Sequence, residues 1–314
     1  MRAAVCDGYG GPEVLRLADL PDPEPGPGQV RVRVLAALVS AGDARVRGLD
    51  VPPVLRPMLR AAFGWRRPRG VLGTDLCGVV DRVGPGCTRL RPGDAVVAFP
   101  GTAMGAHAGF CLLPEAGRIL ARPAGLTDPE AASLFFGGTT ALHFLRDRGG
   151  LRAGQRVLVL GGAGVVGSAA VQIAEAMGAE VTATARADHL ELLRRLGARA
   201  VDRDADPGTG FALILDTTGA LPPAALRARL APGGLLCLVE AGPGRMLAAL
   251  WHRDTQVGMA PERRADMEWL AHLARAGRYR PLIDSVFSLD RIAEAHARVG
   301  ARGRAGGVVV TCTG

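Results

Sequence analysis

The sequence predicts an α/β protein of two parts, a β-barrel-like domain and a doubly wound parallel sheet. Three observations carry that prediction. Residues 1–122 hold short apolar or alternating runs cut by Gly/Pro turns, which suits a small barrel. Beyond Pro123 strand-like and helix-like segments take turns along the chain, the order a parallel sheet requires. A glycine-rich loop joins an apolar strand there to the helix that follows it. At 314 residues the chain is long enough for two separate cores.

In the first part, Val30-Arg-Val-Arg-Val-Leu35 alternates as a half-buried strand should. Leu76 to Val83 is strand-like and stops at Gly84-Pro85-Gly86, and the turn Arg91-Pro92-Gly93-Asp94 feeds a strand from Ala95 to Phe99. In the second part, Leu126-Thr127-Asp128-Pro129-Glu130 is a helix start, with a capping residue, a proline in the first turn and an acid beside it. Arg156 to Leu160 reads as a buried strand and Val165 to Met177 as its helix. A strand Glu180 to Thr184 and a helix Asp188 to Leu196 come next, then strands at Ala200 to Asp202, Phe211 to Leu215 and Leu235 to Val239. The tail holds a strand near Ser285 to Ser288, a helix from Leu289 to Val299 and a strand from Gly307 to Thr311.

Bulk properties exclude several functions. The formal charge is +8, and arginine supplies all 38 basic side chains because the chain has no lysine. Schiff-base or lysine acid–base chemistry is therefore ruled out. The arginines are scattered and tyrosine is rare, so no stacking platform for nucleic acid is expected. Cys6, Cys77, Cys87, Cys111, Cys237 and Cys312 form no C-x-x-C pair and mostly sit in apolar stretches, as reduced core thiols do. The N-terminus enters a strand without the apolar core of a signal peptide. The most apolar run, 157–174, is interrupted by glycines, Ser168 and Gln172. A cytoplasmic location is expected.

The central motif is Val157-Leu-Val-Leu-Gly161-Gly-Ala-Gly164-Val165-Val166-Gly167, a G-x-x-G-x-x-G core between strand and helix. Gly161, Gly164 and Gly167 let the backbone turn tightly and approach a pyrophosphate, and the helix start offers free N–H groups and a partial positive charge to that anion. Val165 and Val166 are expected to bind through backbone donors. Cofactor choice is read where the next strand ends, at Val181-Thr-Ala-Thr184-Ala-Arg186, with no acid before Asp188. An acid there would bond the ribose 2′-hydroxyl of NAD and repel a 2′-phosphate. Arg186 grips that phosphate through charge-assisted bonds instead, so NADPH is the expected cofactor.

Further segments resemble the quinone oxidoreductase-like branch of the medium-chain dehydrogenase/reductase family over almost the whole chain. Gly73-Thr-Asp75-Leu-Cys-Gly78-Val-Val-Asp-Arg-Val83-Gly84, ending at Gly93-Asp94, is similar to one family run and Gly105-Ala-His107-Ala-Gly-Phe110 to the next. Gly138-Thr-Thr140-Ala-Leu resembles the turn that faces the nicotinamide. Gly154-Gln155, Gln172 and Asp216-Thr217-Thr218-Gly219 fit as well. The resemblance implies a GroES-like catalytic domain (1–122 and 285–314) and a Rossmann domain (123–284), with the cofactor in the cleft between them. It adds Thr140, Thr184 and Thr217 to the cofactor-binding set, beside Gly161, Gly164, Val165, Val166, Gly167 and Arg186. Leu160, Ala163 and Val165 stand where relatives often carry Asn, Ser and Gly, changes that spare the phosphate-binding backbone.

Zinc members of the family polarise the substrate oxygen with a metal held by cysteine and histidine. Their Gly-His-Glu segment is replaced here by Gly73-Thr74-Asp75, their first cysteine is missing around Ser40, and their four-cysteine lobe is absent. No metal is expected. Without zinc, hydride needs an acceptor already conjugated, such as a quinone or enone, whose developing charge hydrogen bonds can stabilise. Ser40, Asp43 and His107 are the candidate catalytic residues, with Thr74 beside them. Ser40-Ala-Gly-Asp43 stands where relatives commonly carry an Asn and then an Asp or Tyr.

In 54–69, Leu55, Met58, Leu59, Ala62 and Phe63 recur at helical spacing among Arg56, Arg60, Arg66, Arg67 and Arg69. It reads as a lid over the substrate, as an amphipathic helix docked on the barrel, or as a membrane-surface helix; its shortness favours the first two. The expected function is NADPH-dependent, zinc-independent reduction of an activated C=C or quinone-type carbonyl in a small-molecule substrate. The alternatives are a tailoring reductase of an imine, ketone or enoyl intermediate and a non-catalytic NADPH-binding protein. A homodimer is expected through an edge strand at Asp254 to Ala260, with no nucleic-acid or membrane partner.

Overall fold

The computed structural model describes residues 1–312 apart from 241, 243, 246–248 and 250. The chain forms two compact units, Met1–Phe136 with Arg263–Arg275 and Leu282–Gly314, and Gly137–Glu262 with Ala276–Pro281.

The first unit pairs strands β1 (Arg2–Cys6) and β2 (Leu15–Asp19) antiparallel and builds a seven-stranded sheet around β3 (Gln29–Val39). One edge of β3 pairs with β4 (Leu76–Val83), which continues to β5 (Ala95–Ala98) and β7 (Ile119–Ala121). Its other edge is shared by β6 (Phe110–Pro114) and a strand from the end of the chain, Gly307–Thr311, beside which Ile283–Ser288 lies parallel. The alternation read at Val30, Val32 and Val34 sends these side chains into one core with Leu76, Val96 and Val308. Burial of each large apolar side chain contributes about 1.5–3 kcal/mol.

The second unit is a six-stranded parallel sheet. Its strands are β8 (Arg156–Leu160), β9 (Glu180–Ala185), β10 (Arg199–Asp202), β11 (Phe211–Asp216), β12 (Leu230–Leu238) and β13 (Thr255–Val257), in the order β10-β9-β8-β11-β12-β13. The order reverses between β8 and β11, so a crevice opens at their C-terminal ends, the usual ligand position in a doubly wound sheet. β13 is an edge strand. No helix among the described residues is long and apolar enough to cross a membrane.

The compact units divide at Phe136/Gly137, where the change of composition suggested Arg122/Pro123. The helix Asp128–Ala131, opened by a capping box between Thr127 and Glu130, falls in the first unit. So does the helix Arg264–Arg275, whose Arg264 guanidinium bonds the Ile119 carbonyl at 3.0 Å. The helix expected over Asp188–Leu196 is a 3-10 turn, Ala187–His189, followed by a short α-helix, Leu190–Arg195. β12 begins at Leu230, ahead of the expected Leu235, because Leu230 already pairs with Phe211 across a register shift.

Candidate functional site

The glycine loop is held at each end by hydrogen bonds that leave its helix-facing amides unused. Gly161 and Gly162 donate their N–H groups to the Thr184 carbonyl at 3.1 and 2.9 Å. Gly161 has φ +77, and a Cβ there would lie 2.7 Å from Thr217 Oγ1 and 2.5 Å from Thr218 Cγ2. A Cβ on Gly167 would lie 2.1 Å from the Gly161 carbonyl oxygen, so only glycine lets the helix Val165–Ala176 press this closely on the loop. Gly164 is the extended residue that caps the helix, and the first helical bond runs from Ser168 N–H to its carbonyl at 2.8 Å. The amides of Val165, Val166 and Gly167 thus have no acceptor within the helix. They form a donor cluster at the positive end of the dipole.

The loop after β11 is equally preformed. The fully buried Asp216 accepts from Thr218 N, Thr218 Oγ1 and Gly219 N through one oxygen, at 2.9, 2.8 and 3.0 Å. Its other oxygen takes the Arg245 guanidinium at 2.7 Å. Thr217 Oγ1 donates to the Leu160 carbonyl at 2.7 Å, which ties this loop to the end of β8. Thr184 and Thr217 were expected to touch cofactor; here the Thr184 carbonyl and the Thr217 hydroxyl proton shape the crevice, and the Thr184 side chain is buried.

Arg186 follows β9 and is half-exposed, with Asp188 as an ion-pair partner at 3.0 Å. It lines an open cavity of about 440 Å³ with Asp188, Asp202, Arg203 and Asp204. Arg203 went unnoticed in the sequence. Its backbone N–H bonds the Ala185 carbonyl at 2.8 Å, which brings a second guanidinium beside the end of β9. Parallel pairing of β10 with β9 creates that neighbourhood, and no local motif announces it. Arg203 and Asp204 also line a second cavity of about 290 Å³, whose apolar wall includes Leu160, Leu221 and Leu226.

Thr140 lies in the helix Phe136–Leu142. A Cβ on Gly137 would fall 2.7 Å from the Val165 carbonyl oxygen, so this helix start packs directly against the start of the glycine-loop helix.

In the first unit, Ser40 caps the helix Ala41–Gly48 in a capping box with Asp43. Asp43 is fully buried and accepts from Ser40 N–H at 2.7 Å and Ser40 Oγ at 2.6 Å through one oxygen, and from Gly73 N–H at 2.9 Å through the other. Ser40 Oγ in turn accepts from Asp43 N–H at 3.1 Å. Thr74 Oγ1 stands 3.5 Å from it. The pair singled out for catalysis thus also fixes the Gly73-Thr74 turn in place.

His107 is completely buried. Its Nε2 lies 2.9 Å from the Leu38 carbonyl, which makes that nitrogen the protonated one. Its ring meets the His296 ring edge-on at 5.6 Å. His296, which the sequence reading passed over, is buried with no protein partner on either ring nitrogen, and burial followed by the neighbouring His107 and Arg47 holds its pKa down at about 2. A histidine sealed inside the barrel cannot reach an acceptor, so His107 is a core residue in this structure, not the acid–base group expected from its motif.

The same geometry bears on zinc. Asp43 accepts hydrogen bonds on both oxygens and His107 spends Nε2 on the Leu38 carbonyl, while burial pushes the Cys77 thiol up to about 11 and the Cys111 and Cys312 thiols to about 12. Zinc takes thiolates, and thiols whose ionisation burial opposes do not suit that ion. Among the described residues no group of three or more His, Cys, Asp or Glu side chains could hold a metal.

Comparison with known proteins agrees with the two-part fold. The alcohol dehydrogenase GroES-like domain family matches residues 26–141 and the zinc-binding dehydrogenase family matches residues 177–310. The human mitochondrial NAD(P)H oxidoreductase RTN4IP1 is 30% identical over 355 residues, covering 99% of this chain and 88% of its own. Erythronolide synthase EryA2 of Saccharopolyspora erythraea is 40% identical over 171 residues, but that match covers 54% of this chain and only 4% of the synthase. Among solved structures, the quinone oxidoreductase from Coxiella burnetii superposes with a TM-score of 0.87 at 25% identity, covering 99% of both chains. An NAD-dependent alcohol dehydrogenase superposes with a TM-score of 0.85 at 32% identity over 100% of both.

Proposed function

The chain belongs to the medium-chain dehydrogenase/reductase family, in its quinone oxidoreductase-like branch, and on that premise we propose that it reduces an activated C=C or quinone-type carbonyl acceptor with NADPH and without zinc. The observation that carries the reading is the crevice of the parallel sheet, where a preformed amide cluster sits at the same strand ends as two guanidinium groups. The amides of Val165 and Val166 suit a pyrophosphate. The cavity walled by Leu160, Leu221 and Leu226 suits an adenine, and Arg186 and Arg203 suit a 2′-phosphate. Three carboxylates share the outer cavity, so the phosphate is confined to the side of the two arginines.

NADPH when bound supplies the hydride. The chain's share of the work is positioning: Thr140 orients the reacting end, since small errors in hydride geometry are costly. The Ser40–Asp43 pair keeps the Gly73-Thr74 turn rigid, and the Ser40 hydroxyl spends its proton on Asp43 in doing so. A quinone needs no acid on the protein, because conjugation carries the charge left by hydride addition. The anion left by hydride addition takes the single proton that the reaction consumes from water. Asp43 accepts three hydrogen bonds within the chain, which occupy both of its oxygens.

The test is turnover of NADPH and NADH with a panel of quinones and enones, before and after chelation and with metal content measured. Selective NADPH oxidation, unaffected by chelation, is the expected result; a stoichiometric zinc whose removal stops turnover would overturn the zinc-free mechanism. The local identity to polyketide synthases supports a second reading, reduction of an enoyl thioester, and crotonyl thioesters belong in the panel for that reason. We also propose a homodimer formed by pairing of β13 edges, beside which Met259 is exposed, and light scattering reads the mass directly. The six free cysteines support a reducing, cytoplasmic location.

A further inference from the structure

The segment 54–69 is not used in the proposed reductase chemistry. It forms a helix, Arg56–Phe63, and an irregular return to the barrel. One side is anchored. Phe63 packs against the barrel core, Tyr9 donates its hydroxyl to the Gly64 carbonyl at 2.5 Å, and Arg69 N–H bonds the Phe63 carbonyl at 2.6 Å. The other side is bare. Val54 is 81% exposed, Leu55 39%, Met58 64% and Trp65 61%. Helical geometry puts Leu55, Met58 and Ala62 on one stripe, a turn away from the anchoring Phe63. Isolated exposed apolar side chains need no explanation, but four large ones on a single anchored platform do.

Charge decides what covers them. Arg56, Arg60, Arg66, Arg67 and Arg69 are all exposed, and no Asp or Glu occurs between Asp50 and Asp75. Asp7 stands 4.0 Å from Arg67, but five guanidinium groups on one face still leave it strongly positive; a second copy of this face would repel it, and a neutral apolar ligand would leave that excess charge unmatched. An anionic lipid surface satisfies both sets of groups: the apolar stripe and the Trp65 indole enter the boundary of the acyl chains while guanidinium groups meet phosphates. We propose that residues 54–69 dock the protein on anionic membrane surfaces. Brevity, the reason to expect no membrane partner from the sequence, is no obstacle for a helix that the fold already holds in place, because docking then costs little ordering entropy. The proposal does not depend on the reductase reading.

The test uses the full chain with vesicles of pure phosphatidylcholine and vesicles with an equal share of phosphatidylglycerol. Cosedimentation with the phosphatidylglycerol vesicles alone is expected, with loss at about 1 M salt where screening reaches ~3 Å. Trp65 emission should shift to the blue on binding, and W65F should lack that shift. Removing two arginines by R56Q with R66Q should weaken partition roughly 25-fold, at about fivefold for each arginine near an anionic surface. M58D should weaken it as well. R194Q with R195Q, an exposed pair on the other unit, is the control for the net charge of +8 and should change partition less than about twofold. The proposal is overturned if the control pair matters as much as Arg56 and Arg66, if phosphatidylcholine binds equally well, or if neither vesicle binds. The last outcome would turn attention to an acidic protein partner. NADPH affinity in solution should be the same for all these variants, which separates failure here from failure of the cofactor assignment.

Discussion

Replacing Arg186 by Ala isolates the contribution of one guanidinium to cofactor choice. Arg186 is half-exposed and shares its charge with Asp188 at 3.0 Å. A charge-assisted hydrogen bond contributes about 1.5–3 kcal/mol when well shielded. Exposure and the competing carboxylate put this one at the lower end, about 1.5 kcal/mol, which is roughly a tenfold rise in KM for NADPH. Removing Arg203 as well should add less than a further tenfold, because both side chains would grip the same phosphate and their effects would not be independent. NADH lacks that phosphate, so its KM should move less than about twofold, the size of an indirect effect near a site. Folding should be unaffected, since an exposed ion pair is worth at most about 1 kcal/mol. Steady-state kinetics with both cofactors, beside a thermal melt, reads all of this. Parallel rises in KM for NADPH and NADH, or no change in either, would refute the assignment of the outer cavity to the 2′-phosphate.

Three other outcomes follow from the geometry. Asp43→Ala should destabilise the protein by about 2–4 kcal/mol, because the buried Ser40 and Gly73 N–H groups both lose their acceptor; an unchanged melting temperature with lost turnover would instead make Asp43 a catalytic group. Gly167→Ala should abolish cofactor binding, measured by fluorescence of the reduced nucleotide, because its Cβ would overlap the Gly161 carbonyl oxygen; binding at parental strength would refute the loop assignment. His296 has a folded pKa of about 2, below its unfolded value near 6.5, so the unfolded chain binds the extra proton. Its contribution is complete above about pH 6.5 and falls by up to about 1.4 kcal/mol for each pH unit below that. Urea titrations between about pH 5 and 7 should show this slope, and His296→Leu should reduce it; a variant with an unchanged slope would assign acid sensitivity to other groups.

Elements whose partners are close in sequence were legible from the chain alone. The helix start at Thr127 needs only Glu130, and the loop between β8 and the helix Val165–Ala176 needs only its own glycines. The parallel doubly wound sheet was legible for a similar reason, because strands that alternate with helices along the chain leave few topologies. The unit boundary was not. Residues 123–136 change to helical character, yet Ala131, Ala132, Leu134 and Phe135 are buried in the first unit. Periodicity reports which face of a helix is apolar and is silent about which core receives it.

The candidate site divides along the same line. Gly161, Gly164, Gly167 and the absence of an acid before Asp188 were written in the sequence, because backbone conformation and residue type suffice to state them. The roles of Ser40, Asp43 and His107 belonged to the tertiary structure. A carboxylate's chemistry depends on what already occupies its oxygens, and Asp43 meets Gly73 from 30 residues away. His107 looks available in a glycine-rich motif and is sealed by Leu38 and His296, the latter brought from the far end of the chain. Arg203 joins Arg186 only because β10 lies beside β9. By itself the sequence determined the elements and the glycine loop between β8 and its helix, which rest on local conformation. Burial and partnership of each polar side chain are properties of contacts between distant segments, and only the folded chain could decide them.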